Sequence, residues 1–164
     1  MAILLITACA WLIIDNINFR SVNFYYPDYR FKQLSHEKRR VHKKVLESDN
    51  FSIRLVKEYI LGPVNYSLRN CLSEDIRLKK IWNITNKGKE AIVVDFSHEL
   101  TNYLISHNED MRWFFTGLVK TLRGNTSIKK LYILMNNRPV NMQIGFYDLN
   151  YPIIVQNPKY YNKK

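Results

Sequence analysis

Residues 91–96 (AIVVDF) are almost continuously apolar and rich in β-branched side chains. Such a run is typical of a central strand buried on both faces, because neither face carries the polar residues that solvent contact would favour. Apolar and polar residues alternate in the preceding segment, 76–84, which predicts a half-buried strand. Asn86, Lys87 and Gly88 supply a turn between the two. The sequence therefore predicts a hairpin whose second strand lies inside a sheet.

A helix is predicted after residues 48–52, where Ser and Asp side chains offer capping oxygens. Ile53, Val56 and Ile60 recur at helical spacing, and Gly62 followed by Pro63 is a typical end signal. This segment is long enough for about three turns.

Two further helices are predicted beyond the central strand. Ser97 is expected to cap a short helix that carries Leu100 and Leu104. Ser106 and Glu109 have the spacing of a capping box. The helix that follows is expected to end at Gly124 and to bury one apolar face: Met111, Phe114, Phe115, Leu118 and Leu122.

The other predicted strands are residues 22–26, which Pro27 ends, residues 39–46, and residues 129–135 before a turn at Asn136 and Asn137. Residues 39–46 also allow the start of a helix, but their weak alternation favours a strand. The order of elements predicts an α+β fold, with a mixed, mainly antiparallel sheet and two or three helices on one face. An N-terminal hydrophobic anchor is expected to precede it.

Residues 2–14 contain no charge, and Asp15 ends the run. Thirteen helical residues span about 20 Å, whereas a bilayer core needs about 30 Å. Three alternatives stay open. The run is a membrane anchor that starts upstream of Met1, a lipoprotein signal in which Cys9 is acylated, or a buried core segment. A basic region before the run, as in a signal peptide, is absent from the sequence.

The formal charge is +11, which points to an anionic partner such as nucleic acid, a lipid surface or an acidic polymer. A biased composition, with seventeen Asn, offers a simpler explanation. On a strand, Lys38, Arg40 and Lys44 would share one face with His42, and they are the candidate contacts for an anionic surface. Arg39 and Lys43 would lie on the other face with Val41 and Val45. Three cations in line predict weak attraction, not a specific nucleic-acid site.

Catalytic and metal chemistry is not indicated. Two cysteines, Cys9 and Cys71, are too few for a disulfide framework or a thiolate zinc site. Asp95, His98 and Glu99 are close in sequence, but a capped turn after the central strand explains them. No phosphate-binding glycine loop or nucleophile elbow is present, so we expect neither an enzyme nor a cofactor.

Three segments, in order, resemble the GerMN domain of bacterial sporulation and spore germination proteins. Residues 55–63 (LVKEYILGP) are similar to that family's helix ending in Leu-x-Gly-Pro. Residues 92–100 (IVVDFSHEL) are similar to its Val-Asp-Phe-Ser strand and turn. Residues 118–122 (LVKTL) with 128–131 (IKKL) are similar to its next helix and strand. Asn136 and Asn137 replace the usual glycine turn.

The resemblance implies an α/β fold, a lipid or transmembrane anchor and a place outside the cytoplasmic membrane. It does not imply an enzyme activity, and no catalytic residues carry over. We expect an anchor or signal at 1–19, a GerMN-like domain at 20–155 and a basic polar tail at 156–164. The leading hypothesis is a non-catalytic domain, tethered to the outer side of the bacterial membrane, that binds an envelope protein or polymer. The alternative is a small basic nucleic-acid-binding protein.

Overall fold

The computed structural model describes residues 18–47, 51–86 and 89–156. Residues 1–17 of the predicted anchor and residues 157–164 of the predicted tail lie outside the described residues. Both segments therefore stay predictions. The strands are β1 (Phe19–Pro27), β2 (Leu34–His42), β3 (Leu78–Asn86), β4 (Lys89–Phe96), β5 (Lys130–Met135), β6 (Arg138–Pro139), β7 (Gln143–Ile144), β8 (Tyr147–Asp148) and β9 (Ile153–Ile154). The helices are α1 (Lys43–Leu46), α2 (Phe51–Ile60), α3 (Glu99–Ser106) and α4 (Asn108–Asn125).

The main sheet has the strand order β3-β4-β5-β6, and β9 also pairs with β5. Strands β3 and β4 form the predicted antiparallel hairpin, and residues 87 and 88 of its turn are outside the described residues. Strands β4 and β5 are parallel, because α3 and α4 connect them. Ile92, Val94 and Phe96 of β4 are fully buried, as a central strand requires. The mixed α+β fold is therefore confirmed.

The hairpin β1–β2 forms a separate two-stranded sheet, whereas the sequence predicted one sheet. Its buried residues, Val22, Phe24 and Tyr26, alternate along β1, so one face of the hairpin enters the core. Helix α4 lies against β1 and occupies the edge that another strand would otherwise take. Its Thr121 hydroxyl accepts a 3.0 Å hydrogen bond from the Tyr25 N–H.

One hydrophobic core joins the main sheet, the β1–β2 hairpin, the short β7–β8 pair and the helices. The five residues predicted for the buried face of α4 are all at most 1% exposed, which confirms that prediction. Leu100 and Leu104 of α3 are also fully buried. Tyr26 and Tyr59 stack with ring centroids 4.8 Å apart, and the Tyr59 hydroxyl donates to the Phe114 carbonyl at 2.9 Å. Helix α2 is thereby fixed to both the hairpin and α4.

The helix ends differ in how well the sequence predicted them. Gly62 has φ +91°, the left-handed conformation that glycine adopts without strain, so the predicted end of α2 is confirmed. The predicted capping box at Ser106 is wrong, since its hydroxyl donates to the Asn102 carbonyl of α3. Ser97 is not a side-chain cap either. Its hydroxyl accepts from the Arg77 N–H and joins the ends of two strands. Helix α4 also continues past Gly124 to Asn125.

Within residues 18–47, 51–86 and 89–156, no helix is long and apolar enough to cross a membrane.

Candidate functional site

The outer face of the β1–β2 hairpin carries most of the residues that the sequence indicated for an anionic surface. In the pairing register, Phe19 faces His42, Ser21 faces Arg40, Asn23 faces Lys38 and Tyr25 faces His36. Their side chains project on the side opposite the buried residues of β1, because successive side chains of a strand point to opposite faces. We call these eight residues the outer face: Phe19, Ser21, Asn23, Tyr25, His36, Lys38, Arg40 and His42. None of them is acidic.

Lys38 and Arg40 are both exposed and lie two residues apart on β2, about 7 Å along the strand. The Arg40 guanidinium carbon is 5.2 Å from the centre of the Phe19 ring. Such a cation–aromatic contact orients the charged group. The prediction that these two cations share one face is confirmed.

Helix α4 adds a cation that the sequence did not assign to this site. The Lys120 ammonium nitrogen is 4.5 Å from the centre of the Tyr25 ring, at the border of the outer face. Lys120 is exposed on an amphipathic helix. Which strand the helix would lie beside depends on the tertiary fold, and no local pattern reveals it.

Lys44 does not lie on the outer face. The predicted strand 39–46 is wrong in its bounds, because β2 ends at His42 and the turn of helix α1 begins at Lys43. The His42 imidazole Nδ1 accepts from the Lys44 N–H at 3.2 Å and caps this turn. Lys43 and Lys44 are both exposed, but the strand alternation that would align Lys44 with Lys38 and Arg40 has ended.

Arg39 is on the opposite side of β2, as predicted, and it has a structural role there. Its guanidinium carbon lies 4.4 Å from the Phe24 ring centre. It donates to Glu37 at 2.5 Å and to the Gly62 carbonyl at 2.7 Å. The side chain of Arg39 is only 17% exposed. It therefore fixes the end of α2 to β2 and offers little charge to solvent.

Glu37 completes this buried cluster. Burial alone would raise the pKa of the Glu37 carboxyl. Hydrogen bonds from the Asn65 N–H, the Arg39 guanidinium and the Val64 N–H, together with the arginine charge, outweigh that effect and lower the pKa below its ordinary value. The cluster is therefore ionised near neutral pH and holds the loop after α2.

A concavity of about 720 Å³ lies between the start of α2, strand β3 and the loop after α4. Its lining mixes polar side chains with Trp82 and four aliphatic or aromatic ones, Leu46, Phe51, Ile53 and Ile128. Ser52 donates to Asn83 across one wall at 2.9 Å. Among the described residues, no group of three or more His, Cys, Asp or Glu side chains could hold a metal ion.

Asp95, His98 and Glu99 make contacts at the end of the central strand. The Asp95 carboxylate is 1% exposed and accepts from the Asn137 N–H at 2.9 Å, which anchors the turn between β5 and β6. The His98 side chain is 72% exposed and contacts Glu99 at 3.4 Å. The structural interpretation of these residues fits this geometry. Cys71 is a buried free thiol, and Cys9 is outside the described residues.

These features define a small α+β domain, in which helices join a two-stranded hairpin to a mixed sheet, with a basic surface. The family profile Germane, described as sporulation and spore germination, matches residues 23–141. The chain belongs to this family, whose domain is the GerMN domain.

Solved structures share the fold. The first GerMN domain of the sporulation protein GerM from Bacillus subtilis has a TM-score of 0.54 and 20% identity, over 82% of this chain and 93% of that one. The tandem GerMN domains of GerM give a TM-score of 0.50 and 16% identity, over 76% of this chain and 41% of that one. The chain thus spans about two fifths of the tandem protein.

A putative lipoprotein from Clostridium perfringens is also similar, with a TM-score of 0.47 and 18% identity, over 85% of this chain and 90% of that one. No curated protein sequence matches significantly.

Proposed function

We propose that this protein is a non-catalytic interaction domain of the bacterial cell envelope, tethered to the outer side of the cytoplasmic membrane by residues 2–14, which binds an anionic envelope polymer on its outer face. The observation that carries the proposal is the outer face itself. It presents Lys38 and Arg40 beside Lys120, with no acidic residue among its eight members.

The charge of the outer face suits a polymer with repeated phosphates or carboxylates. Arg40 and Lys120 are oriented by aromatic rings, so binding loses less side-chain freedom than it would for unsupported chains. Three cations give attraction that depends on salt and has modest affinity. A polymer compensates for weak single contacts by repeating them.

The tether is supported by the uncharged run at residues 2–14. Strand β1 begins at Phe19, so a tether would reach the domain at the end of the hairpin where Arg40 and His42 lie. Membrane fractionation of the full chain tests it. A chain starting at Asn18 should remain folded and leave the membrane fraction, and a full chain that stays soluble without detergent would contradict the tether.

Binding to polyphosphate and to polyglutamate, with the full chain in neutral detergent, tests the ligand. We expect the triple variant Lys38→Ala, Arg40→Ala and Lys120→Ala to lose most of the binding and its salt dependence. Binding of the parent to polyphosphate should weaken as the salt concentration rises, because each neutralised phosphate releases counterions. The matched control is Arg77→Ala, Lys79→Ala and Lys80→Ala, which removes the same charge elsewhere and should retain binding.

Single- and double-stranded oligonucleotides distinguish the alternative function. We expect only non-specific affinity, about 10⁻⁴ to 10⁻⁶ M at physiological salt. Nanomolar oligonucleotide binding that the outer-face triple variant abolishes would favour a nucleic-acid-binding protein instead. Equal polymer binding by both triple variants would refute the outer face as the site.

A further inference from the structure

The turn between β1 and β2 and the loop after α2 meet at one end of the hairpin. The Tyr29 N–H donates to the Ser67 carbonyl at 3.1 Å, and the Arg69 N–H donates to the Pro27 carbonyl at 3.0 Å. Asp28 and Leu68 form a β-bridge between them. We call residues 28–32 and 61–69 together the loop tip. Because backbone hydrogen bonds join its two parts, the loop tip is one surface.

Polar contacts hold the longer loop of the loop tip in place. The Glu37 carboxylate accepts from the Val64 N–H at 2.8 Å and from the Asn65 N–H at 2.7 Å. Arg39 holds the Gly62 carbonyl on the other side. The Asn65 side chain accepts from the Ser67 N–H at 2.9 Å. The loop keeps its shape through these bonds, so its apolar side chains are available to point outward.

Four large side chains of the loop tip are exposed to an unusual degree. The exposed fractions are 72% for Tyr29, 78% for Leu61, 73% for Val64 and 99% for Tyr66. A single exposed apolar residue needs no explanation, but several in adjoining segments mark an interaction surface. Exposure this high also means that the residues project from the surface and do not line a groove.

The charges around these residues favour an anionic bilayer as the partner. The loop tip and the adjoining end of α2 carry four cations, Arg30, Lys32, Lys57 and Arg69, and two acids, Asp28 and Glu58. Arg69 is paired, since its guanidinium lies 4.0 Å from the Asp110 carboxylate, so Arg30, Lys32 and Lys57 carry the excess charge. Both acids also have contacts of their own. Asp28 accepts from the Lys32 N–H at 2.8 Å, and Glu58 lies 3.6 Å from the Arg39 guanidinium. Projecting tyrosine and aliphatic side chains ringed by cations suit the boundary between headgroups and acyl chains.

We propose that the loop tip inserts Leu61, Val64 and Tyr66 into the headgroup region of an anionic lipid bilayer. Strand β1 has nine residues, which at about 3.4 Å each place the loop tip roughly 27 Å from Phe19. The loop tip is thus a second membrane attachment, distinct from the tether at the N-terminus and from the outer face. It extends the proposed function and does not depend on polymer binding.

A site-specific fluorophore tests the insertion in the full chain. Val64→Cys and Ile105→Cys are made separately with Cys9→Ala, since Val64 and Ile105 are 73% and 68% exposed. Cys71 is 3% exposed and is protected from labelling. Each protein is labelled with nitrobenzoxadiazole and reconstituted in vesicles of phosphatidylcholine with or without phosphatidylglycerol. We expect blue-shifted emission, quenched by nitroxide lipids, at position 64 in anionic vesicles and not at position 105.

Further substitutions separate the contributions. Leu61→Ser with Tyr66→Ser should reduce the inserted fraction at position 64 by about tenfold or more, because apolar burial drives insertion. The control pair Ile154→Ser with Tyr151→Ser changes the same kinds of exposed residue elsewhere and should have no effect. Arg30→Ala with Lys32→Ala should weaken insertion in anionic vesicles only.

Three results would overturn the proposal. The first is equal emission at positions 64 and 105, which would leave a protein partner as the explanation of the exposed residues. The second is a signal that survives Leu61→Ser with Tyr66→Ser. The third is a signal that disappears in the outer-face triple variant, since the outer face would then bring the domain to the bilayer. Loss of polymer binding in that variant, with the signal at position 64 retained, supports both proposals independently.

Discussion

The side-chain amide of Asn125 pairs with the backbone of Asn23 as a neighbouring strand would. Its nitrogen donates to the Asn23 carbonyl at 2.8 Å, and its oxygen accepts from the Asn23 N–H at 3.3 Å. Four residues earlier on α4, Thr121 accepts from the Tyr25 N–H. The helix thereby satisfies the outward edge of β1, which would otherwise expose unpaired groups that invite aggregation.

Asn125→Ala should therefore destabilise the fold by about 1–3 kcal/mol, the range for leaving partly buried polar groups without partners. Chemical denaturation measures this change. Asn102→Ala, at an exposed position on α3, is the control and should change the free energy of unfolding by less than about 0.5 kcal/mol. Similar values for both variants would show that the amide contributes nothing as a strand substitute.

Gly117 is where α4 and β1 come closest. A Cβ atom at Gly117 would lie 2.3 Å from the Tyr25 carbonyl oxygen and 2.4 Å from the Tyr59 hydroxyl. Gly117→Ala should cost about 1–3 kcal/mol or more through overpacking. At Gly124 the nearest atom would be 3.9 Å away. Gly124→Ala should be neutral or stabilise by up to about 1 kcal/mol, because alanine favours helix. Thermal denaturation measures both variants, and Gly117→Ala should have a clearly lower melting temperature than Gly124→Ala. Equal melting temperatures would contradict the close approach of α4 and β1 at Gly117.

The Glu37 carboxylate should make the domain sensitive to acid. Its pKa in the folded state lies below its ordinary value of 4.5, so ionised Glu37 stabilises the fold above about that pH. The contribution of Glu37 to the free energy of unfolding should be lost as the pH falls from about 4.5 to below the lowered pKa of the folded state. Glu37→Gln should lower the free energy of unfolding at pH 7 by about 1–3 kcal/mol and flatten its acid dependence.

Glu109→Gln is the control for the acid dependence. Glu109 pairs with Arg112 on the surface of α4, where ion pairs contribute about 0–1 kcal/mol. Denaturation curves between pH 3 and pH 7 should therefore remain close to those of the parent. An unchanged acid dependence in Glu37→Gln would show that the cluster of Glu37 and Arg39 does not hold the fold together at neutral pH.

Val94→Asp should prevent folding. Val94 is fully buried in the middle of β4, where an unpaired charge costs several kcal/mol out of a total stability of about 5–15 kcal/mol. Lys43→Ala, on an exposed side chain of α1, should leave the melting temperature nearly unchanged. Circular dichroism of both variants makes the comparison, and a cooperative native-like transition in Val94→Asp would disprove the packing assigned to β4.

Much of the fold was predictable where one segment determines its own structure. The apolar face of α4, the buried strand β4 and the glycine that ends α2 follow from residue spacing and from the conformations that each residue type allows. The hydrogen bonds of Ser97 and Ser106 were mispredicted, because each hydroxyl can bond either its own helix or a neighbouring element, and the choice depends on what lies nearby.

The candidate site was predictable only where local residue spacing determines it. Alternation along β2 placed Lys38 and Arg40 together and Arg39 opposite them, since a strand has only two faces. Lys44 was misplaced because the His42 side chain ends the strand and begins a helical turn. Lys120 could not be assigned, since eighty residues separate it from Arg40.

The amino-acid sequence by itself determined the individual helices and strands, the buried residues of each and the excess of positive charge, because these depend on local spacing and composition. Only the tertiary structure decided that β1 and β2 form their own sheet and that Gly117, Thr121 and Asn125 take the place of a missing strand. It also decided that Tyr29 meets Ser67 and that Lys120 meets Tyr25. Such contacts join residues far apart in the chain, and their free energy depends on packing that exists only once the whole core has formed.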